Sequence, residues 1–326
     1  MVRRSPLAAQ TLEAAPPDLR HLAAVLEEST PAERRAAQAR SLRRGLTHPS
    51  ARSLLFTVLG EYVLPSGGEA WSSELIAALR AMDVDERAAR QAIARTGAAG
   101  WLTSRRSGRR VSWRLTDLAR DLLERGAERI YHFGATQAAW NGQWLLLRIN
   151  VPEERRELRQ KLRTQLAWAS FGPLRQSLWI SPHTTREQEA VRVIENLGLA
   201  RDATSLVVRV GAVGDDAALA REAWDLPALA VEYESFLDDF ESAPSLTAET
   251  TFAALTRMVH EWRRFPFIDP ALPAPLLPRN WIGHRARRLF VRRRATWGPT
   301  ASRWFHSHST HALDAPGLST KKRGLH

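Results

Sequence analysis

Downstream of Ser50 the apolar positions recur with a helical period, and residues 85 to 110 carry that pattern into a basic segment of two different halves. Wound at about 100° per residue, Ala88, Ala89, Ala92, Ile93 and Thr96 fall on one side of a helix over 85–96, with Arg87, Arg90, Gln91 and Arg95 on the other. Two short alternating stretches follow, Gly100-Trp101-Leu102-Thr103 and Val111-Ser112-Trp113-Arg114-Leu115, joined through the turn Arg106-Ser107-Gly108-Arg109. A cationic helix with an apolar back, followed by a basic hairpin, is the pattern of a winged helix.

Upstream, Leu54, Leu55, Val58, Leu59, Tyr62 and Val63 predict a helix that Pro65-Ser66-Gly67-Gly68 stops. Leu75, Ile76, Leu79 and Met82 predict a second, capped by Ser72 or Ser73, and Asp83-Val84-Asp85 turns from it into the cationic helix. Two helices about a short turn are what a helix-turn-helix requires. Thr116 caps a further helix through Leu118, Leu122 and Leu123 to about Ile130, and the aperiodic residues 131–142 read as a linker.

The rhythm then changes. Trp144 to Pro152 reads as a buried strand, Glu153 to Ala169 as a helix with Leu158, Leu162 and Leu166 at intervals of four, and Leu178 to Ser181 as a strand preceded by a short one near Leu174. A helix through Ala190, Val191, Ile194 and Leu197 and a strand Leu206 to Val210 complete the order βαββαβ, the ferredoxin-like arrangement. Residues 217–240 and 246–264 predict helices, 266–278 is Pro-rich, and a last amphipathic helix lies near Trp281 to Arg293. Residues 1–48, rich in Ala, Arg and Pro, offer short helices around 17–27 and 31–44. The expected fold is α+β and multidomain: a flexible extension (1–48), a winged helix-turn-helix (49–130), a linker (131–142), a ferredoxin-like domain (143–213), a helical C-terminal domain (214–296) and a disordered basic tail (297–326).

Composition adds boundaries. Of 326 residues, 44% are hydrophobic and 25% charged, an ordinary globular balance. No stretch approaches a membrane span and no long apolar segment follows the N-terminal charges, so a soluble, cytoplasmic protein is expected. With no cysteine, the sequence supports neither a disulfide framework nor a thiolate-ligated metal. Charge is segregated within the net +12: residues 85–110 are net +5 and 285–326 net +9, whereas 214–250 are net −9. A polyanion suits the basic parts.

Arginine presents a donor fork to guanine O6 and N7, and glutamine can pair with adenine N6 and N7, so Arg87, Arg90, Gln91 and Arg95 are candidate base readers of double-stranded DNA. Arg105, Arg106, Arg109 and Arg110 on the hairpin suit phosphates or the minor groove. A winged helix also serves in some proteins as a protein-interaction scaffold. The sequence holds no nucleophile elbow, phosphate-binding loop or dinucleotide fingerprint, which argues against an enzyme and a cofactor. His306, His308 and His311 sit in the predicted tail, where no metal site is expected.

These features resemble the PaaX family, the phenylacetic-acid degradation repressors of bacteria. The likeness runs from R-S-L-L-F-T-V-L-G-E-Y-V (52–63) through D-E-R-A-A-R-Q-A-I-A-R (85–95), R-R-S-G-R-R (105–110), W-N-G-Q-W-L-L-L (140–147), F-G-P-L (171–174), W-I-S-P (179–182) and W-D-L-P-A-L (224–229) to H-E-W-R-R-F-P-F-I-D-P-A-L-P (260–273). It implies a homodimeric transcription factor whose middle domain is similar to CRISPR adaptation nucleases. It also implies a repressor of aromatic-acid catabolic genes, released from its operator by an aryl-acyl-CoA effector such as phenylacetyl-CoA. Where such nucleases carry a metal-binding acid after the first strand, this chain has Asn150, whose amide lacks the charge that hard cations favour, so metal-dependent cleavage is not expected. Where the family usually has an Arg-Met-type pair, Thr96-Gly97 is expected to shorten the cationic helix. Trp262, Arg263 and Arg264 leave two readings open: an internal ion-pair network with the acidic segment, or a site where the Arg pair meets the phosphates of the acyl-CoA.

Overall fold

Ser50 opens the first helix by accepting a hydrogen bond from the Ser53 amide at 3.1 Å. The structure, a computed structural model, describes residues 49–135, 139–152, 154–175, 177–242 and 247–309. The helices expected at 17–27 and 31–44 and the tail beyond 309 lie outside these residues.

Helix α1 (Ala51–Val58) continues through a π-turn (Leu59–Val63) and a 3-10 turn (Leu64–Ser66) before left-handed Gly67 ends it. Strand β1 (Glu69–Trp71), helices α2 (Ser72–Arg80) and α3 (Glu86–Ala98), and strands β2 (Leu102–Ser107) and β3 (Arg110–Leu115) follow. The strands form an antiparallel sheet of order β1-β3-β2. Neither Ser72 nor Ser73 caps α2: the Glu74 carboxylate accepts from the Trp71 amide at 2.7 Å, while Ser72 Oγ donates to the Val111 carbonyl and accepts from Trp113 Nε1. Tertiary partners outside the helix have claimed both hydroxyls, since Ser73 Oγ donates to the His308 carbonyl. Thr116 does cap α4 (Asp117–His132), as its sequence predicts.

The middle region contains β4 (Trp144–Ile149), α5 (Arg156–Trp168), β5 (Gly172–Arg175), β6 (Leu178–Ser181), α6 (Glu187–Asn196) and β7 (Ala203–Val208). Its four strands are antiparallel in the order β5-β6-β4-β7, the topology expected of βαββαβ. Leu145, Leu147 and Ile149 alternate onto the face that packs with Leu162, Leu166 and Ile194. The opposite face anchors the C-terminal helices: Trp144 Nε1 donates to Asp216 at 2.8 Å, and a Cβ on Gly172 would meet Ala223 and Trp224 at 2.7 Å.

The helix expected over 217–240 is two, α7 (Asp216–Ala223) and α8 (Leu226–Glu241). Pro227 in the first turn of α8 and the Asp225 cap explain the break. Next come α9 (Ala248–Trp262), the short α10 (Phe265–Ile268) and α11 (Ile282–Ser307). Residues 297–307, expected in a disordered tail, are therefore helix despite Gly298-Pro299. Trp297, Ala301 and Phe305 are buried, and Phe305 stacks on Tyr62 of the first helix at 5.4 Å, contacts that outweigh the proline's lost hydrogen bond.

One hydrophobic core includes Leu55, Leu59 and Tyr62 from the N-terminal helices and Phe252, Leu255, Trp262 and Phe290 from the C-terminal ones. The segregated charges also meet internally: Arg285 pairs with Glu241 at 2.5 Å, and Arg264 with Glu232 at 2.9 Å.

Candidate functional site

Helix α3 has an interior and an exterior as its pattern predicts. Asp85 accepts from the Ala88 amide at 2.9 Å to start it, and Ala89, Ala92, Ile93 and Thr96 are buried on its back. Arg87, Arg90, Gln91 and Arg95 are exposed. Arg90 is held along the helix by Glu86 at 2.7 Å, four residues earlier. Arg87, Gln91 and Arg95 have no side-chain partner among the described residues. Desolvating such groups costs least when a ligand supplies acceptors in return.

The expectation that Thr96-Gly97 shortens this helix fails. Thr96 is buried and its hydroxyl donates to the Ala92 carbonyl at 2.7 Å. Gly97 is where the hairpin docks: a Cβ there would lie 2.7 Å from Cζ3 of Trp113. The helix runs to Ala98, and its missing side chain admits the indole that fixes the hairpin against it.

In that hairpin Leu102 pairs with Leu115 and Ser107 with Arg110, leaving Gly108-Arg109 as the turn, with Gly108 at φ +59°. Arg105, Arg106 and Arg109 are exposed, and Arg106 Nε donates to the Gly108 carbonyl at 3.3 Å. Arg110 differs. Its guanidinium lies 4.0 Å from the centroid of the Trp71 ring, so this cation, next to the hairpin turn, is partly engaged. Arg114 points to Glu69 at 3.2 Å, and burial is slight enough that hydrogen bonding from Ser112 lowers the Glu69 carboxyl below its usual range.

The other predicted residues lie elsewhere. Arg264 is half of a buried pair with Glu232 and lies 5.1 Å above the Phe265 ring, while Arg263 donates to the Ser53 hydroxyl and carbonyl. Arg264 meets the acidic segment, as the ion-pair reading expects, whereas Arg263 meets the neutral Ser53 of the first helix. Trp262 Nε1 donates to the Ile130 carbonyl at 3.1 Å, and its ring borders a cavity at the end of α4. Asn150 is exposed at the end of β4, and no group of three or more His, Asp or Glu suited to a metal occurs among the described residues. His306 is not in a loose tail: it faces Glu74 at 3.3 Å and Ser66 at 2.9 Å. His308 is likewise described, at the C-cap of α11, and His311 lies outside the described residues.

What sequence reasoning missed is the joint behind α3. The π-turn directs Glu61 and Tyr62 inward together; Glu61 accepts from the Tyr131 hydroxyl of α4 and from Arg294 Nε at 2.9 Å, and Tyr62 shares a hydrogen bond with Thr256 at 2.9 Å. Burial pushes the Glu61 carboxyl up, against the pull of Arg294. Arg257 of α9 also reaches Asp83, in the turn between α2 and α3, at 2.5 Å.

Comparison with known proteins covers the same ground. Residues 50–119 match the PaaX-like protein family, 137–220 the PaaX protein central Cas2-like domain, and 224–307 the PaaX-like protein C-terminal domain. Over 253 residues the chain is 33% identical to the transcriptional repressor PaaX of Escherichia coli strain K12, which covers 74% of this chain and 78% of that one. A solved structure of an uncharacterized protein, Rv0674, from Mycobacterium tuberculosis superposes with a TM-score of 0.56 at 25% identity, over 79% of this chain and 98% of that one. Among the described residues no helix is long and apolar enough to cross a membrane.

Proposed function

The chain belongs to the PaaX family of transcriptional regulators, and from that premise we propose that it binds operator DNA through α3 and the β2–β3 hairpin. On this reading residues 49–130 are a winged helix-turn-helix, 143–213 a ferredoxin-like scaffold and 214–296 a helical domain that braces both. Helix α3 enters the major groove, where Arg87, Arg90, Gln91 and Arg95 face base edges. Arg105, Arg106, Arg109 and Arg110 hold phosphates or enter the minor groove.

The observation that carries the proposal is the display of Arg87, Gln91 and Arg95, exposed and without a side-chain partner among the described residues, on a helix whose opposite face is buried. A helix needed only for packing would not require this cluster beside a second row of exposed arginines. The function that follows is repression from the cytoplasm by a homodimer, its two α3 helices set about 34 to 36 Å apart or a multiple of that to meet half-sites. The regulated genes are those of aromatic-acid catabolism, and an aryl-acyl-CoA such as phenylacetyl-CoA releases the protein from DNA. The likeness to a transcriptional repressor supports this reading.

Footprinting of the purified chain on genomic fragments at fixed salt, with and without phenylacetyl-CoA, tests it. Protected inverted half-sites that disappear with the thioester are expected. Binding with no sequence preference would defeat the operator reading, and footprints indifferent to the thioester would defeat the effector.

A further inference from the structure

The last turn of α11 is fastened beside the hairpin. Phe305 is buried against Tyr62, His306 faces Glu74 of α2 at 3.3 Å and Ser66 at 2.9 Å, and Ser73 Oγ donates to the His308 carbonyl at 2.9 Å. The Ser309 amide and hydroxyl both donate to the His306 carbonyl, at 3.1 and 2.6 Å. The point at which the chain leaves α11 is therefore fixed, at the N-terminal end of α2.

That end of α2 meets the tip end of the hairpin. Trp71, which precedes α2, pairs across the sheet with Ser112, and Ser72 Oγ donates to the Val111 carbonyl at 3.0 Å. Val111 in turn pairs with Arg106, directly before Ser107 and Arg110 close on the Gly108-Arg109 turn. The ring of Trp71 also carries the Arg110 guanidinium. The chain thus leaves α11 on the side where the exposed arginines of the hairpin are displayed.

Beyond Ser309 the sequence runs on for 17 residues, in which the single acid Asp314 is outweighed by Lys321, Lys322 and Arg323 in a row. Such a triplet suits an anionic partner. The 12 residues from Ser309 to Lys321 span at most about 40 Å, more than one turn of DNA at about 34–36 Å. Two polyanions are at hand, the acidic helix α8 and the DNA itself. Helix α8 is the less suited. Its Glu241 carbonyl accepts from Arg293, which lies 14 residues before Ser307 on α11, a rise of about 21 Å. Two of its acids are moreover already paired, Glu241 with Arg285 and Glu232 with Arg264.

We propose that residues 310–326 form a second DNA-contacting arm, in which Lys321, Lys322 and Arg323 neutralise phosphates on the flank of the site where the hairpin lies. The proposal rests on the reading of α3 and the hairpin as the DNA-binding surface and extends it to a segment that neither includes. Lysines meet phosphates as point charges and read no bases. The arm therefore adds affinity and salt dependence on every duplex and leaves base preference to α3. The anchoring of α11 is what confines the contact to one flank.

Anisotropy titrations between about 0.05 and 0.3 M salt test it, on the fragment protected in footprints and on a random duplex of equal length. The full chain is compared with a chain ending at Ser309 and with the triple variant Lys321→Gln, Lys322→Gln, Arg323→Gln. Each phosphate contact contributes about 0.9 to the slope of log affinity against log salt, so both variants should flatten it by about two to three units and bind about tenfold or more weakly at ~0.1 M salt. The ratio of affinities for the two duplexes and the melting temperature should stay unchanged. Because the chain has no cysteine, Gly324→Cys and, in a separate protein, Ser107→Cys can each carry an iron-EDTA cleavage reagent. Cuts on the same flank of the protected site are expected from both. Equal salt slopes in the three untagged proteins would overturn the arm, and so would cuts from position 324 scattered along the duplex. Tighter binding by the shortened chain would also overturn it and assign the segment to the acidic helix. A full chain that binds neither duplex would remove the DNA-binding reading and the arm together.

Discussion

The indole of Trp113 lies over Gly97 so closely that one added methyl group on α3 would have to displace it. Replacing Gly97 by alanine gains about 1 kcal/mol in helix propensity. It sets against that an overpacking cost of about 1–3 kcal/mol. We expect Gly97→Ala to lower stability in urea unfolding and to weaken DNA binding by shifting the hairpin. Adding Trp113→Leu should restore part of the stability but not the hairpin position. Additive effects of the two changes would contradict the contact.

On the DNA-binding reading, Glu86 would compete with DNA for Arg90. Their 2.7 Å pair is exposed, so breaking it should change stability by less than about 1 kcal/mol. Glu86→Gln should tighten operator binding by freeing the guanidinium and removing a negative charge. Arg90→Ala should weaken binding and broaden preference at one base position. Anisotropy titrations on matched and single-mismatch operators distinguish these outcomes.

On the hairpin, Arg106→Ala and Arg109→Ala should weaken specific and non-specific binding alike, each flattening the dependence of log affinity on log salt by about one unit or less. Arg110→Ala should behave differently, because Arg110 packs on Trp71. A loss of melting temperature is expected with it, and none with the other two.

The adjacent His260 and Glu261 have opposite pH signatures. Burial, aided by Arg263 and Arg264, holds the His260 imidazole well below 6.5, while burial raises the Glu261 carboxyl from 4.5 to about 7. The histidine's contribution is present above its unfolded pKa and is lost as pH falls below about 6.5. The glutamate's contribution is full below about 4.5 and is lost as pH rises toward 7. His260→Gln should therefore flatten the acid side of the stability profile, and Glu261→Gln the side approaching neutrality. Unfolding free energies between pH 4.5 and 8 check both; His183, also held low by burial, adds to the acid limb.

Arg294→Met should be clearly damaging, since it leaves the buried Glu61 without its cation, at a cost below the about 3–5 kcal/mol of a fully buried pair because Arg294 is itself 38% exposed. The double variant Glu61→Gln, Arg294→Met should recover much of the loss. Chemical denaturation of the four proteins completes the cycle.

Local pattern disclosed what short-range physics decides. The burial of Ala89, Ala92 and Ile93, the caps at Asp85 and Thr116, and the alternation of Leu145, Leu147 and Ile149 could all be read along the chain. Pro227 marked the break before α8, although continuous apolar content masked it. Gly298-Pro299 gave the opposite error, because their local preference yields to Trp297 and Phe305 packing at long range. The acidic run was plain, but not that Glu232 in particular would neutralise Arg264. The cavity had no local signature: Arg129, Arg186 and Trp281 meet only after the three regions assemble.

Helix α11 contributes Gly283, His284 and Arg287 to the cavity at one end, and at the other His306 faces Glu74 of α2. Its 26 residues make a rod of ~39 Å. Such a rod is a lever arm: a pivot of about 5° at its first turn carries its last turn through ~3 Å, a geometric consequence of the same helical rise. Displacement of that size exceeds the tolerance of hydrogen bonds, so on the DNA-binding reading a slight tilt at one end would be enough to take α3 out of register with base edges.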